Sequence, residues 1–225
     1  MRVHSRQHLL LAGLALCGFV AACLWLAGEW RDWPGVMIER AIKQQEPVAT
    51  DKLLAFWEPN KEMASPALPG RNPHLAGLAG YTLAQDTSLA VFQRAEMLLQ
   101  AEQLTRAALS REPADARAWA RLAWLLDSRK GPTDQLLAAL RMSLYCAPAD
   151  VHLVFWRLRS AATYRSAWDA DLESLLARQV ILGWRVSPAR LAQVAKAGAL
   201  QDWMRTVLHD HGADTDQFDA RLRKS

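Results

Sequence analysis

At 225 residues, with 51% hydrophobic and 22% charged side chains, the chain is long enough to bury a core and too apolar to be a disordered tail. The net charge of +4 falls to +2 once Arg2 and Arg6, which precede the first apolar run, are set aside; this excludes a surface that neutralises many phosphates, and with it a nucleic-acid partner. Cys17, Cys23 and Cys146 contain no C-x-x-C pair, which argues against a disulfide framework or a structural zinc site.

Residues 1–8 form a basic flank, and residues 9–28, "LLLAGLALCGFVAACLWLAG", follow without a charge. Twenty helical residues span the roughly 30 Å hydrocarbon core of a bilayer, so 9–28 is expected to be a transmembrane helix. Arg2 and Arg6 place the N-terminus in the cytoplasm, which predicts a single-pass inner-membrane protein with a periplasmic C-terminal domain. Trp25, Trp30 and Trp33 cluster where the helix would leave the bilayer, the depth that suits an indole. Two alternatives stay open: a cleaved signal peptide, and a lipoprotein in which "VAAC" presents Cys23 for lipidation. All three export the domain.

Residues 29–72 read as an interfacial segment and a Pro-rich linker, since Pro47, Pro59, Pro66, Pro69 and Pro73 forbid a long helix. Short helical pieces are expected at 36–44 and at 51–57, where Leu53, Leu54 and Trp57 share a face. From 73 to 212 the pattern is helix after helix. Asn72 and Pro73 form an N-terminal signature, with Leu75, Leu78, Ala79 and Thr82 at helical spacing. A longer helix ending at Pro113 should bury Phe92, Ala95, Leu98 or Leu99, Leu104 and Ala108.

The triplet Pro-Ala-Asp then occurs twice, at 113–115 and 148–150, 35 residues apart, each time before a Trp-bearing apolar stretch. Trp119, Leu122 and Ala123 stand in "WARLA", and Leu136, Leu140, Ser143 and Pro148 follow at the spacing of a second helix; Ala101, Thr105, Ala108 and Pro113 repeat it upstream. This pattern resembles the tetratricopeptide (TPR) family, which implies stacked helix pairs with a capping Asp and an indole packed beside small residues. A degenerate third unit follows, in which Leu172, Leu175, Leu176, Gln179, Val180 and Trp184 recur at helical intervals. A closing layer has helices capped by Ser187, ended by Gly198 and ended by Gly212, and the polar tail 213–225 is expected to fray. The fold class is therefore all-α: an N-terminal transmembrane helix, a Pro-rich linker and a short irregular TPR-like α-solenoid.

No motif for chemistry stands out, so the chain reads as a non-enzyme without cofactor or metal. His209 and His211 lie two apart on a helix and point away from each other. "WDADLE" and "DTDQFD" lack the glycine and terminal Glu of a calcium loop and act as helix caps, and "AGLAG" at 76–80 is no phosphate cradle. Cys146 reads as a small buried hydrophobe. In a solenoid register, Arg117, Trp124, His152, Phe155 and Arg159 face a partner-binding groove for acidic or C-terminal carboxylate groups; Arg157 falls awkwardly in it. The alternative makes Trp124 and Phe155 core residues and both arginines solvated.

The leading functional expectation is a membrane-anchored periplasmic scaffold for protein–protein interactions between envelope proteins. "LLAALRMSLYCAPADVHLVFWRLRSA" and "LLARQVILGWRVSPARLAQVA" resemble the VpsP-type proteins of exopolysaccharide loci, which implies polysaccharide assembly or export machinery as the partner. The alternatives are an envelope glycan-modifying enzyme with an unrecognised site, or a TPR-type chaperone for cytochrome maturation or outer-membrane assembly.

Overall fold

The computed structural model describes residues 2–44, 46–62, 72–131, 133–212 and 215–224, with side chains of the first helix described at 15–23, 26, 30 and from 32 onward. Among these residues every regular element is helical, and the chain divides into two compact units, Met1–Ala108 and Leu109–Ser225. The expected repeat region 73–212 contributes to both.

The first unit begins with α1 (Arg2–Lys43), a single helix that continues through Pro34. It contains both the expected span 9–28 and the helical piece at 36–44. Among the described residues no helix is long and apolar enough to cross a membrane; much of 9–28 lies outside the described side chains. Helix α2 (Thr50–Trp57) fits between Pro47 and Pro59 and buries Leu53, Phe56 and Trp57. It packs against α3 (Pro73–Ala84), where Asn72 caps by accepting from the His74 N–H. Residues 46–62 are therefore no spacer. The linker expectation for 63–71 lies outside the described residues.

Two close approaches explain this packing. A Cβ at Gly80 would stand 2.3 Å from the Trp57 ring, which is 1% exposed, and one at Gly35 would stand 2.4 Å from the Phe56 ring. Each glycine is a notch that lets an aromatic plane meet helix backbone. The glycines of "AGLAG" thus have a packing role: Gly77 faces Thr105 and Leu104 of α4 (Val91–Arg111) in the same way. Helix α4 corrects the expected stripe. Met97, Ala101, Leu104, Thr105 and Ala108 are buried, whereas Phe92 is 75% exposed and Ala95 is exposed. The reason is register: at about 100° per residue Phe92 and Ala95 fall on the face of α4 opposite Met97, Ala101, Leu104 and Ala108.

Charged contacts fasten the same unit. Glu39 on α1 meets Lys43 at 2.7 Å and His74 of α3 at 3.4 Å. Burial pushes the Glu39 carboxyl up, but its bonds to Lys43 and His74 outweigh this and hold it below the usual carboxylate value. Thr50 donates to Asp86 at 2.5 Å, joining the start of α2 to the end of α3.

The second unit is built from consecutive pairs. Helices α5 (Ala116–Lys130) and α6 (Asp134–Cys146) pack against each other, as do α7 (Val154–Ala162) and α8 (Ala170–Val186), with the 3-10 turn η1 (Arg165–Ala167) between the latter. The core runs through Leu122, Leu126, Leu136, Leu140, Leu144, Val154, Leu158, Leu172 and Leu176. Leu172, Leu175, Leu176, Gln179 and Val180 form the buried face of α8, as their periodicity indicated, with Trp184 partly buried beside them. Asp169, in "WDADLE", caps α8 through the Leu172 N–H.

Helix α9 (Pro188–Ala197) is capped by Ser187 and ends at Gly198, but Gly198 does not take the left-handed position. Ala199 does, at φ 52°. The Leu200 N–H bonds the Ala195 carbonyl at 2.9 Å, and the Ala199 N–H the Lys196 carbonyl at 3.4 Å, which is a Schellman closure with alanine where glycine is usual. Glycine is needed one residue earlier because a Cβ at 198 would meet the Ala162 Cβ at 2.7 Å.

After α10 (Gln201–Asp210) the expectation of a frayed tail fails: Thr215–Lys224 forms α11, which packs against α9 and α10. Phe218 is fully buried and meets Trp184 edge to face, and Arg205 bonds Asp219 at 2.9 Å. A polar average concealed one aromatic anchor. Residues 213, 214 and 225 lie outside the described residues.

Candidate functional site

The two Pro-Ala-Asp triplets have different roles. Asp115 caps α5, its Oδ1 accepting from the N–H groups of Arg117 and Ala118. Asp150 Oδ1 accepts from the His152 N–H, and a turn at 151–153 delays α7 until Val154. Its other oxygen accepts from Arg117 Nε at 3.3 Å, so the second triplet is tied to the helix capped by the first. The proline carbonyls are used as well: Trp119 Nε1 donates to Pro113 O at 2.7 Å, and Gln179 Nε2 to Pro148 O at 2.6 Å. Trp119 is partly buried and pins its own turn. Cys146, expected to be buried, is partly so, with Sγ 3.7 Å from Pro113 O.

At the centre of these turns lies Arg157, whose awkward register now has a cause. It is fully buried and donates to the Ser143 and Ala147 carbonyls, to Ser143 Oγ at 3.0 Å and to Gln179 Oε1 at 3.2 Å. Ser143 in turn donates to the Ala116 carbonyl at 2.9 Å. A helix end leaves its last carbonyls without partners and carries partial negative charge, and here a side chain from α7 supplies both donors and cation to the end of α6. Burial lowers the Arg157 guanidinium to about 10 while the Asp150 carboxylate works against the fall, so it remains charged at neutral pH. The sequence carries one signal for this hub: an arginine inside an otherwise apolar helical face.

The expected groove residues differ in burial. Arg117, His152 and Arg159 are exposed, and Arg117 is already held by Asp150. Trp124 is partly buried beside a narrow cleft lined by Asp127, Leu136, Leu140, Ser160 and Tyr164. The Tyr164 hydroxyl donates to Asp127 Oδ1; burial and that carboxylate push the phenol up to about 12. Phe155 corrects the groove: it is 3% exposed, in the core, with the Arg190 guanidinium over its ring at 4.6 Å. What remains exposed is Arg117, His152 and Arg159, with Trp124 partly buried.

A second aromatic and basic group was missed. Trp168 and Trp203 meet edge to face at 4.9 Å, and Arg165 lies over both rings at 4.8 and 5.3 Å. Arg165 and Trp168 are close in sequence, but Trp203 comes from α10, so only folding brings them together. Because Arg165 covers the ring faces, the group clamps α10 to the η1 turn.

Elsewhere the chemistry is sparse. His209 faces Asp210 at 3.5 Å, and His211 Nδ1 lies 2.8 Å from the Val207 carbonyl. Among the described residues no group of three or more His, Cys, Asp or Glu side chains converges on one point. Cys23, the candidate lipidation site, is exposed on α1. Compared with known proteins, the chain matches no family model, no curated protein and no solved structure.

Proposed function

We propose that this protein is a membrane-anchored, TPR-like helical scaffold that recruits envelope proteins, with residues 9–28 in the inner membrane, the remaining helices periplasmic and polysaccharide assembly or export machinery as the partner. The observation that carries the reading is α1. It is one helix of 42 residues whose described apolar side chains stand open, Phe19 at 68%, Trp30 at 81% and Trp33 at 62% exposed. Open rings along a helix that has Arg2 and Arg6 on one side and an indole cluster on the other suit a bilayer and its interface. For recruitment, the support is the run of paired helices α5 to α8, which leaves Arg117 and Arg159 exposed while their neighbours form the core.

Two measurements test this. An alkaline-phosphatase fusion at the C-terminus is expected to be active, and a cytoplasmic address would end the topology. Photocrosslinkers at Arg117 and Arg159 should capture polysaccharide machinery in cells and lose it in the Arg117→Glu/Arg159→Glu double variant. Capture of cytochrome-maturation or outer-membrane clients would transfer the chain to the chaperone alternative. Loss of function from a single buried carboxylate, with capture intact, would transfer it to the enzyme alternative.

A further inference from the structure

Helix α1 carries a repeat that its own unit leaves open. Leu16, Phe19, Cys23, Leu26, Trp30, Trp33 and Met37 follow one another at alternating intervals of three and four residues, the a and d positions of successive heptads. All are exposed, the large ones from 46% at Met37 to 81% at Trp30. The back of the same helix is occupied. Gly35 and Ile38 are buried and Glu39 meets His74, so the b, c and f positions are the ones set against α2 and α3. Trp33 and Met37 each lie two residues from Gly35, and at about 100° per residue they point roughly 160° away from it. Pro34 stands beside the stripe, and α1 runs through it as one helix.

We infer that this stripe is the seam of a parallel, two-stranded coiled coil with a second copy of the same helix. Lipid explains only part of it. Met37 is nine residues past Gly28, about 14 Å along the helix, and the headgroup layer beyond the hydrocarbon is roughly 5–8 Å deep, so the stripe outruns any lipid cover. A second copy carries the same repeat by identity. Its anchor enters the bilayer in the same direction, a point that rests on the membrane reading of 9–28, so the two stripes meet in parallel and like faces like. No seam position from Leu16 to Met37 is charged, and Glu39 and Lys43 pair with each other off the seam. Arg40, next in the series, ends it, because two guanidinium groups would oppose each other there. The left-handed crossing of about 20° serves helix pairs in lipid and in water alike, so one coil can pass the boundary. The area suffices as well. At roughly 200 Å² per ring, Phe19, Trp30 and Trp33 leave about 400 Å² open on each copy, and Leu16, Leu26 and Met37 take the pair past the roughly 1,000 Å² of a specific interface.

The native cysteines supply the test. Cys23 is a seam position, whereas Cys17, one residue past Leu16, turns off the seam, so a parallel pair brings Cys23 to its counterpart and keeps Cys17 apart. The full chain is reconstituted in proteoliposomes and oxidised with copper phenanthroline. Cys17→Ala/Cys146→Ala, which keeps Cys23, is expected to give a disulfide dimer several-fold more than Cys23→Ala/Cys146→Ala, which keeps Cys17, with a yield that holds over a tenfold dilution with lipid. Met37→Cys in a chain whose three native cysteines are alanine should cross-link beyond the bilayer as well. Trp30→Glu/Met37→Glu should bring the Cys23 dimer to background while the chain stays in the pellet on alkaline carbonate extraction. Equal cross-linking through Cys17 and Cys23, or a yield that falls with dilution, overturns the coil. A Cys23 adduct in cell membranes whose mass is not twice that of the chain overturns the second copy and gives the seam to another helix. Carbonate extraction separates this inference from the anchor reading. A chain that stays in the pellet without a Cys23 dimer keeps its anchor and loses the coil. A chain that is extracted loses the anchor, and Met37→Cys cross-linking in solution then decides the coil alone. Lipid on Cys23, seen by intact mass spectrometry, ends both, because cleavage before it removes Leu16 and Phe19.

Discussion

The two units of this chain bury their helices by different means. In Met1–Ala108 the closest contacts are ones of shape: Phe56 lies on Gly35 and Trp57 on Gly80, ring against backbone. In Leu109–Ser225 polar atoms enter the core and are matched, with Arg157, Ser143 and Gln179 closing the ends of helices. The difference teaches where each unit is vulnerable. A packed ring tolerates no added atom, and a buried cation tolerates no removed one.

The largest effect should follow from removing the cation. Arg157→Met removes a buried donor from the Ser143 and Ala147 carbonyls, which keep only the backbone N–H groups of Ala147 and Asp150, and leaves Gln179 Oε1 without that donor; it should cost about 3 kcal/mol, read by hydrogen exchange across α6 and α7 while α2 and α3 keep their protection. Retained protection in α6 would show that shape suffices in the second unit also. The complementary change is Gly80→Ala. Its methyl must displace the enclosed Trp57 ring, so overpacking of about 1–3 kcal/mol should exceed the gain of at most about 1 kcal/mol in helix propensity, with α2 and α3 losing protection first.

Titration sharpens the contrast further. Tyr164 keeps its proton up to about 12 when folded, whereas an unperturbed tyrosine, as in the unfolded chain, titrates near 10. The unfolded state therefore releases the proton first, so stability is whole below 10 and falls as pH rises through about 12. Tyr164→Phe should flatten that alkaline slope in denaturant unfolding of the second unit. At the acid end, Asp169 is held below its ordinary value first by the Leu172 N–H and further by Arg141. Its contribution is present above the ordinary value near 3.8 and lost as pH falls through the folded one, and Asp169→Asn should remove that loss. The smallest effect is at the end of α9. Ala199→Gly relieves a left-handed alanine and should add up to about 1 kcal/mol, whereas Gly198→Ala should lose stability against Ala162.

What the sequence made legible was local. Asn72, Asp115, Asp169 and Ser187 cap the helices they precede because a cap needs only the next two or three N–H groups. The buried face of α8 followed from periodicity for the same reason. Hidden were the residues whose partners are distant: Trp57 and Gly80, Trp168 and Trp203, Phe218 and Trp184. Phe155 has the spacing of a groove residue, and nothing near it in sequence announces that Arg190 will cover its ring. Helix α4 ends at Arg111, just before Pro113 as expected, but Phe92 and Ala95 do not share the face of Leu104 and Ala108, so the expected stripe joined two sides of one helix.

The donor that completes α6 comes from residue 157, eleven positions beyond the last residue of that helix at Cys146. While the polypeptide emerges during synthesis, the end of α6 has only the local N–H groups of Ala147 and Asp150 until the following hairpin brings the guanidinium, so neighbouring hairpins gain their order together. A shortened chain that stops at 150 would lose more than the helices it lacks, because it would leave the preceding one unfinished.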